Sequence, residues 1–320
     1  MLLALAVPIG AYALTATQTQ AVLQQAGSLL EWGRWKEARQ LLRTSLSQDP
    51  ANARLLAYDA HVLIGFGDYP TALQQARHAV ELDAQCGVCH LFLSEALGEK
   101  AKHMSKLRAL FELRKIKKQL QMASSLAPNS ADVHWGWINF NLEVPAAAGG
   151  DPGAALRQAS ALEGVDPVDG HIARAAIALA AGNAPQALRE YLQAAHDYPN
   201  DPRGLFCVGL TYFQQGRYDT AASYLARAAK LQPQSSLYAS YYAATLIYLR
   251  QEAAARQVIE ASLPLHPESR LADYLVAQAL QHEGRNFAWA RQLLQHYLAI
   301  APEPDQPTQA DARQLLASLG

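Results

Sequence analysis

Three observations predict an all-α solenoid of about eight antiparallel helix pairs. The sequence repeats with a period of about 34 residues, glycine and proline punctuation recurs with that period, and a small residue occupies one fixed place in each unit. The punctuation reads Gly33-Arg34-Trp35-Lys36-Glu37-Ala38, Gly67-Asp68-Tyr69-Pro70-Thr71-Ala72 and Gly216-Arg217-Tyr218-Asp219-Thr220-Ala221, with weaker copies at Gly182 to Ala187 and Gly284 to Ala290. Each unit closes with an apolar helix and a proline at Pro50, Pro128, Pro167, Pro199, Pro233, Pro267 or Pro302, with Ala84 in the second unit. From Pro167 onward the closing steps are 32, 34, 34 and 35 residues.

Along the chain, residues 1–18 come first. Their run MLLALAVPIGAYALTA is apolar and ends in small residues, with Ala11 and Ala13 spaced for signal-peptide cleavage. It reads as a signal peptide or an N-terminal anchor, since no positive charge precedes it; as a buried helix it would be interrupted by Pro8 and Gly10. Residues 19–302 are the expected solenoid. In each unit the glycine permits the left-handed cap that ends the first helix, and the proline blocks continuation of the second. Ala38, Ala72, Ala155, Ala187, Ala221 and Ala255 let paired helices approach closely, with Trp35, Tyr69 and Tyr218 filling the wedge between them. The third unit carries about ten extra residues between its helices, near 98–118, and the fourth about five, near 143–149, judged against the common period. Residues 303–320 are expected to be a polar linker and an amphipathic capping helix.

The pattern resembles the tetratricopeptide repeat (TPR) family, best seen in Gly209, Tyr212, Gly216, Tyr218, Ala221, Ala228 and Pro233. That resemblance implies a right-handed superhelix whose concave face binds a protein or peptide partner, without catalysis. The segment Pro128 to His171 looks like a subgroup of exported bacterial repeat proteins, which implies a periplasmic or cell-envelope setting, with the cytoplasm as the alternative.

Cys86-Gly87-Val88-Cys89-His90 matches the C-x-x-C-H pattern of covalent haem c attachment, in which two thiols bond the porphyrin and the histidine ligates iron. Met104, His103 and His134 would be candidates for the second axial position. Two other readings stand beside it. The cysteines would form a disulfide, structural or redox-active, or pack as small apolar groups. His90, His134 and His171 share one repeat register, where the family buries an aromatic ring, so core packing accounts for all three. The main expectation is no cofactor, with haem electron transfer and thiol/disulfide chemistry as alternatives.

Residues 99–118 hold six of the chain's eight lysines, namely Lys100, Lys102, Lys106, Lys115, Lys117 and Lys118, with Arg108 and Arg114 against Glu99 and Glu112. Leu107, Leu110, Phe111, Leu113 and Ile116 interleave at helical spacing, so one face is expected to dock on the solenoid and the other to stay basic. The basic face reads as a landing surface for an acidic protein, an anionic head group or a polyanion, or as a solvated helix face. Tyr238, Tyr241, Tyr242 and Tyr248, with Tyr212 and Phe213, read mostly as core, a minority lining a groove.

Composition narrows the classes further. Half of the 320 residues are hydrophobic, so a large core is available and disorder is excluded. A net charge of −1 argues against a protein built as a whole to hold nucleic acid. The run Ala148-Gly149-Gly150-Asp151-Pro152-Gly153 lacks the strand and Lys-Ser/Thr ending of a phosphate loop, and no H-E-x-x-H, G-x-S-x-G or dinucleotide motif occurs. No catalytic or metal-binding residues are expected.

Overall fold

The computed structural model describes residues 13–320, so residues 1–12 of the expected signal peptide or anchor lie outside the described residues, while residues 16–18 of that segment belong to the first helix. Among those residues the chain is all helical, with seventeen α-helices and one 3-10 turn. Two compact units divide it, the first comprising residues up to Ser28 together with Glu37–Leu126, the second Leu29–Lys36 together with Ala127–Gly320.

The first unit contains most of α1 (Ala16–Glu31) and α2 (Trp35–Gln48), then α3 (Ala53–Gly65), α4 (Tyr69–Leu82), α5 (Gly87–Lys102) and α6 (Lys106–Leu126). Local chemistry sets the helix starts. Asn52 caps α3 by accepting from the Leu55 N–H, and Asp68 caps α4 by accepting from the Thr71 N–H. At the other end of α3, Gly67 sits at φ 75°, a left-handed backbone that glycine adopts without strain. Ala38 and Ala72 are completely buried, so the helix backbones approach at the places the period singled out. Tyr69 reaches further than a wedge within its own pair, because its ring lies 5.4 Å from that of His103 at the end of α5.

Contrary to the sequence reading, the extra residues of the third pair do not lie between its helices but lengthen the helices themselves. Only His103–Ser105 separates α5 from α6, and α6 runs for 21 residues where α2 and α4 have 14 each. Seven added residues lengthen the helix by about 10 Å.

The second unit holds α7 (Ala131–Glu143), α8 (Pro152–Glu163), α9 (Pro167–Ala180), α10 (Ala184–Asp197), α11 (Pro202–Gln214), α12 (Tyr218–Leu231), α13 (Ser236–Tyr248), α14 (Glu252–Ser262), α15 (Leu271–His282), α16 (Phe287–Leu298) and α17 (Gln309–Ala317). The extra residues of the fourth pair form the 3-10 turn Ala146–Ala148. Left-handed glycines end the first helices again at Gly182 and Gly216, while Arg250 takes that conformation, φ 60°, in the seventh pair. Pro167 occupies the first turn of α9, so it starts the next pair as well as closing the previous one. Close packing also marks the sixth pair: a Cβ on Gly209 would stand 2.7 Å from Leu225 Cγ and 3.2 Å from Leu225 N. Ala221, opposite, is fully buried. A capping box at Thr308 and Asp311 starts α17, which packs on α16 and buries Ala312.

Candidate functional site

The first helices of the first unit carry one stripe of polar and aromatic side chains. Arg54, Tyr58 and His61 lie at i, i+4 and i+7 of α3, hence on one helix face. Each meets a residue 34 positions away on a neighbouring first helix. Arg54 Nη2 donates to Gln20 Oε1 of α1 at 2.9 Å, the Tyr58 ring meets Phe92 of α5 edge to face at 5.1 Å, and His61 Nδ1 lies 2.8 Å from Glu95 Oε2 of α5. His61 also stacks on Phe92 at 4.7 Å. Beside α1 an open depression is lined by Ala16, Thr17, Gln20, Ala21, Gln24 and Arg54. Arg54 is exposed, Tyr58 and His61 are half-buried, and their apolar neighbours Leu55, Ala57 and Val62 are buried, so core packing does not consume the stripe. Such a face offers charge, hydrogen bonds and aromatic area to an extended peptide. Sequence reasoning missed these residues, although the repeat period combined with a step of four and three made them readable.

Cys86 and Cys89 are joined by a disulfide at the start of α5, where Cys86 caps the helix and its Sγ accepts from the Cys89 N–H. His90 is buried. Its Nδ1 lies 2.6 Å from Gln119 Oε1 and its Nε2 3.0 Å from the Ala84 carbonyl. As arranged, these residues do not fit a covalent haem, because the two sulfurs are bonded to each other and both imidazole nitrogens are engaged. His134 and His171 repeat the arrangement, with Nδ1 2.7 Å from Gln158 Oε1 and 3.0 Å from Glu190 Oε2 respectively. Among the described residues no group of three or more His, Cys, Asp or Glu is placed to hold a metal ion.

The basic residues of the third pair divide into two sets. Lys100 and Lys115 both pair with Glu112 Oε1, at 3.0 and 3.1 Å, and Lys102 pairs with Glu99 at 2.8 Å. Burial would raise the Glu112 carboxyl, but the hydrogen bonds from Lys100 and Lys115 outweigh it and hold the pKa below the usual value. Lys106, Lys117 and Lys118 are exposed and form no ion pair among the described residues. The expected apolar docking face is corrected here. Ile116 is buried and Leu113 half-buried, but Leu107, Leu110 and Phe111 are exposed. The buried stripe of α6 runs through Glu112, Ile116, Leu120 and Ala123, which puts those three on the opposite side of the helix.

In the second unit, Arg203 is enclosed by acids. Its Nη1 donates to Asp166 and Asp169, both at 2.9 Å, and its Nη2 to Asp201 at 2.7 Å. Burial opposes the guanidinium charge, but the bonds to Asp201 and Asp166 raise its pKa further. This cluster is a self-satisfied brace between first helices. Tyr212 and Tyr238 are buried, whereas Phe213, Tyr241, Tyr242 and Tyr248 are half-buried. Tyr248 stacks on Tyr218 at 4.1 Å and meets Phe213 at 5.6 Å, so these rings bind successive pairs together. Gly150 belongs to the turn before α8, where a Cβ would fall 1.8 Å from the Val144 carbonyl oxygen. Its place is a tight turn.

Stacked antiparallel helix pairs that repeat at this period define an α-solenoid of the helix-turn-helix repeat class. The family model for the tetratricopeptide repeat matches residues 202–235, which span α11 and α12, so this segment is similar to a tetratricopeptide repeat and the fold around it is that of tetratricopeptide-repeat solenoids. No curated protein matches it significantly in sequence. Among solved structures, yeast Tom70 aligns with a TM-score of 0.60 at 14% identity, covering 96% of this chain and 61% of its own. The APC/C hetero-tetramer Cut9–Hcn1 aligns at 0.47 and 16% identity, covering 93% and 55%. A tetratricopeptide repeat protein from Parabacteroides merdae aligns at 0.43 and 12% identity, covering 94% and 98%. This chain therefore spans about three fifths of the Tom70 chain, and what the two share is the fold.

Proposed function

We propose that this chain is a non-enzymatic protein-protein interaction scaffold of the bacterial envelope, and that the Arg54–Tyr58–His61 stripe holds an extended segment of a protein or peptide partner. One observation carries the reading. Contacts at a constant spacing of 34 residues, Gln20 to Arg54, Tyr58 to Phe92 and His61 to Glu95, keep a mixed polar and aromatic face in register across three first helices. The envelope setting is supported by the apolar opening sequence and by the Cys86–Cys89 disulfide, which persists in oxidising compartments. The experiment is site-specific photocrosslinking from Tyr58 and from the exposed Arg77 of α4, followed by mass spectrometry. The reading expects a discrete adduct from Tyr58 alone. Equal labelling from both positions, or none from Tyr58, would contradict it.

A further inference from the structure

We propose that the tip of the α5–α6 hairpin docks on an anionic phospholipid surface, with Leu107, Leu110 and Phe111 entering the interfacial layer and Lys106, Arg108, Arg114, Lys117 and Lys118 meeting lipid phosphates. This goes beyond the scaffold reading and does not depend on it.

The geometry starts from the length of α6. Its 21 residues exceed the 14 of α2 and α4, and the surplus falls at the start of the helix, where only Glu112 of residues 106–112 is buried. Leu107, Leu110 and Phe111 are 69%, 47% and 61% exposed, three large apolar side chains at i, i+3 and i+4 on one helix face. Lys106 and Arg108 stand beside them, and Arg114, Lys117 and Lys118 follow one or two turns on. All five cations are exposed and form no ion pair among the described residues.

Charge decides the occupant. Residues 99–118 carry eight basic and two acidic side chains, a net of +6, while the whole chain is −1, so the rest of it carries −7. An anionic surface therefore repels the rest of the chain and attracts this hairpin, which fixes the docking orientation. An apolar cluster with cationic shoulders is the pattern of an interfacial helix, whose apolar side chains sit at the headgroup and acyl boundary while Lys and Arg stay at phosphate level. An acidic protein would satisfy the cations but would need a matching apolar surface for three separate large side chains. A bilayer meets both requirements with no such matching.

The test is flotation of the full chain with phosphatidylcholine vesicles that contain phosphatidylglycerol as the minor lipid, and with pure phosphatidylcholine vesicles. Three variants are compared with the parent: Leu107→Ser with Phe111→Ser, the triple reversal Arg114→Glu, Lys117→Glu and Lys118→Glu, and Phe111→Trp. All substituted side chains are exposed, and thermal melts verify that folding is unchanged. Anionic vesicles should bind the parent, the charge reversal should weaken partition about 100-fold, and the serine pair should weaken it by about 10-fold or more. Added salt should weaken it too. The Phe111→Trp chain should gain a blue-shifted emission over the parent that brominated acyl chains quench. The apolar sequence before residue 15 can itself bind bilayers, so the differences between variants are the readout. Binding shared equally by parent and variants overturns the proposal. So does an unshifted Phe111→Trp emission, or saturable binding of a glutamate-rich peptide, lost in the charge reversal, by a chain whose hairpin ignores vesicles.

Discussion

His90 Nδ1 lies 2.6 Å from Gln119 Oε1, and the same bond recurs between His134 and Gln158 and, with a carboxylate, between His171 and Glu190. Each histidine reaches from the first helix of its pair to the second. The partners are 29, 24 and 19 residues apart, so one contact survives while the intervening chain shortens by five residues at each step. A hydrogen bond from a buried histidine to a half-buried partner stands in place of aromatic packing in this register, and its loss leaves the Gln119 amide without that partner. Replacing His90 with Phe should therefore cost about 1–3 kcal/mol. Adding Gln119→Leu should recover part of that cost, which a double-mutant cycle measured by chemical denaturation will show as a coupling of about 0.5 kcal/mol or more.

Ala221 is fully buried and Gly209 lies against Leu225 in the same pair, so overpacking there should be felt at once. Ala221→Leu should destabilise by about 1–3 kcal/mol, because Ala221 is fully buried among Leu205, Val208, Tyr212 and Leu225 and the added bulk has to displace packed side chains. Gln214→Leu adds similar bulk at an exposed place and should leave the thermal midpoint nearly unchanged. Indistinguishable melts would refute the register assigned to the sixth pair.

The thiol chemistry has a simple signature. With Cys86 and Cys89 bonded, Cys207 is the remaining thiol of the three cysteines, and burial pushes it up to about 12. The folded chain should react slowly with a thiol reagent, and the denatured unreduced chain should release one equivalent, rising to three after reduction. Because the disulfide closes a short loop, reduction should lower the melting temperature only slightly.

Asp273 supplies a pH dependence. It is 2% exposed, its Oδ2 has no hydrogen-bond partner, and burial pushes its carboxyl up to about 6 against the pull of Arg270 and His296. A raised folded-state pKa means that the native state favours the protonated acid. Its contribution is fully present below the unfolded value of about 3.9 and is lost as pH rises through about 6. Asp273→Asn should consequently be more stable than the parent at pH 7.5, by up to about 3 kcal/mol, and the difference should shrink as pH falls from 7 to 4. Parallel melting curves across that range would contradict this.

Much of the fold was legible in the chain because its signals are local and repeated. Gly67 and Gly216 do adopt the left-handed cap, and Ala38, Ala72 and Ala221 are buried where the period put them. What the sequence hid is relational. Leu107, Leu110 and Phe111 have helical spacing, but which side of α6 faces the core depends on where Ile116 and Leu120 find partners. The spacing of Arg54, Tyr58 and His61 was readable from the period, but their contacts with Gln20, Phe92 and Glu95, one repeat away along the chain, were not. The C-x-x-C-H motif has one spelling for haem attachment and for a disulfide, and the spelling alone does not show the bond between Cys86 and Cys89 or the partners of His90.

The claim that the first-helix stripe is a peptide-binding face is tested most directly by affinity. Peptides selected by display against the full chain should be titrated by fluorescence anisotropy into the parent, into Arg54→Glu combined with Tyr58→Ala, and into Arg77→Glu as a control on the exposed face of α4. Truncating an aromatic anchor and reversing a contacting charge should together weaken binding by about 10-fold or more, since a few such residues carry most interface energy. The control should bind like the parent. Equal affinity for all three chains would contradict the account.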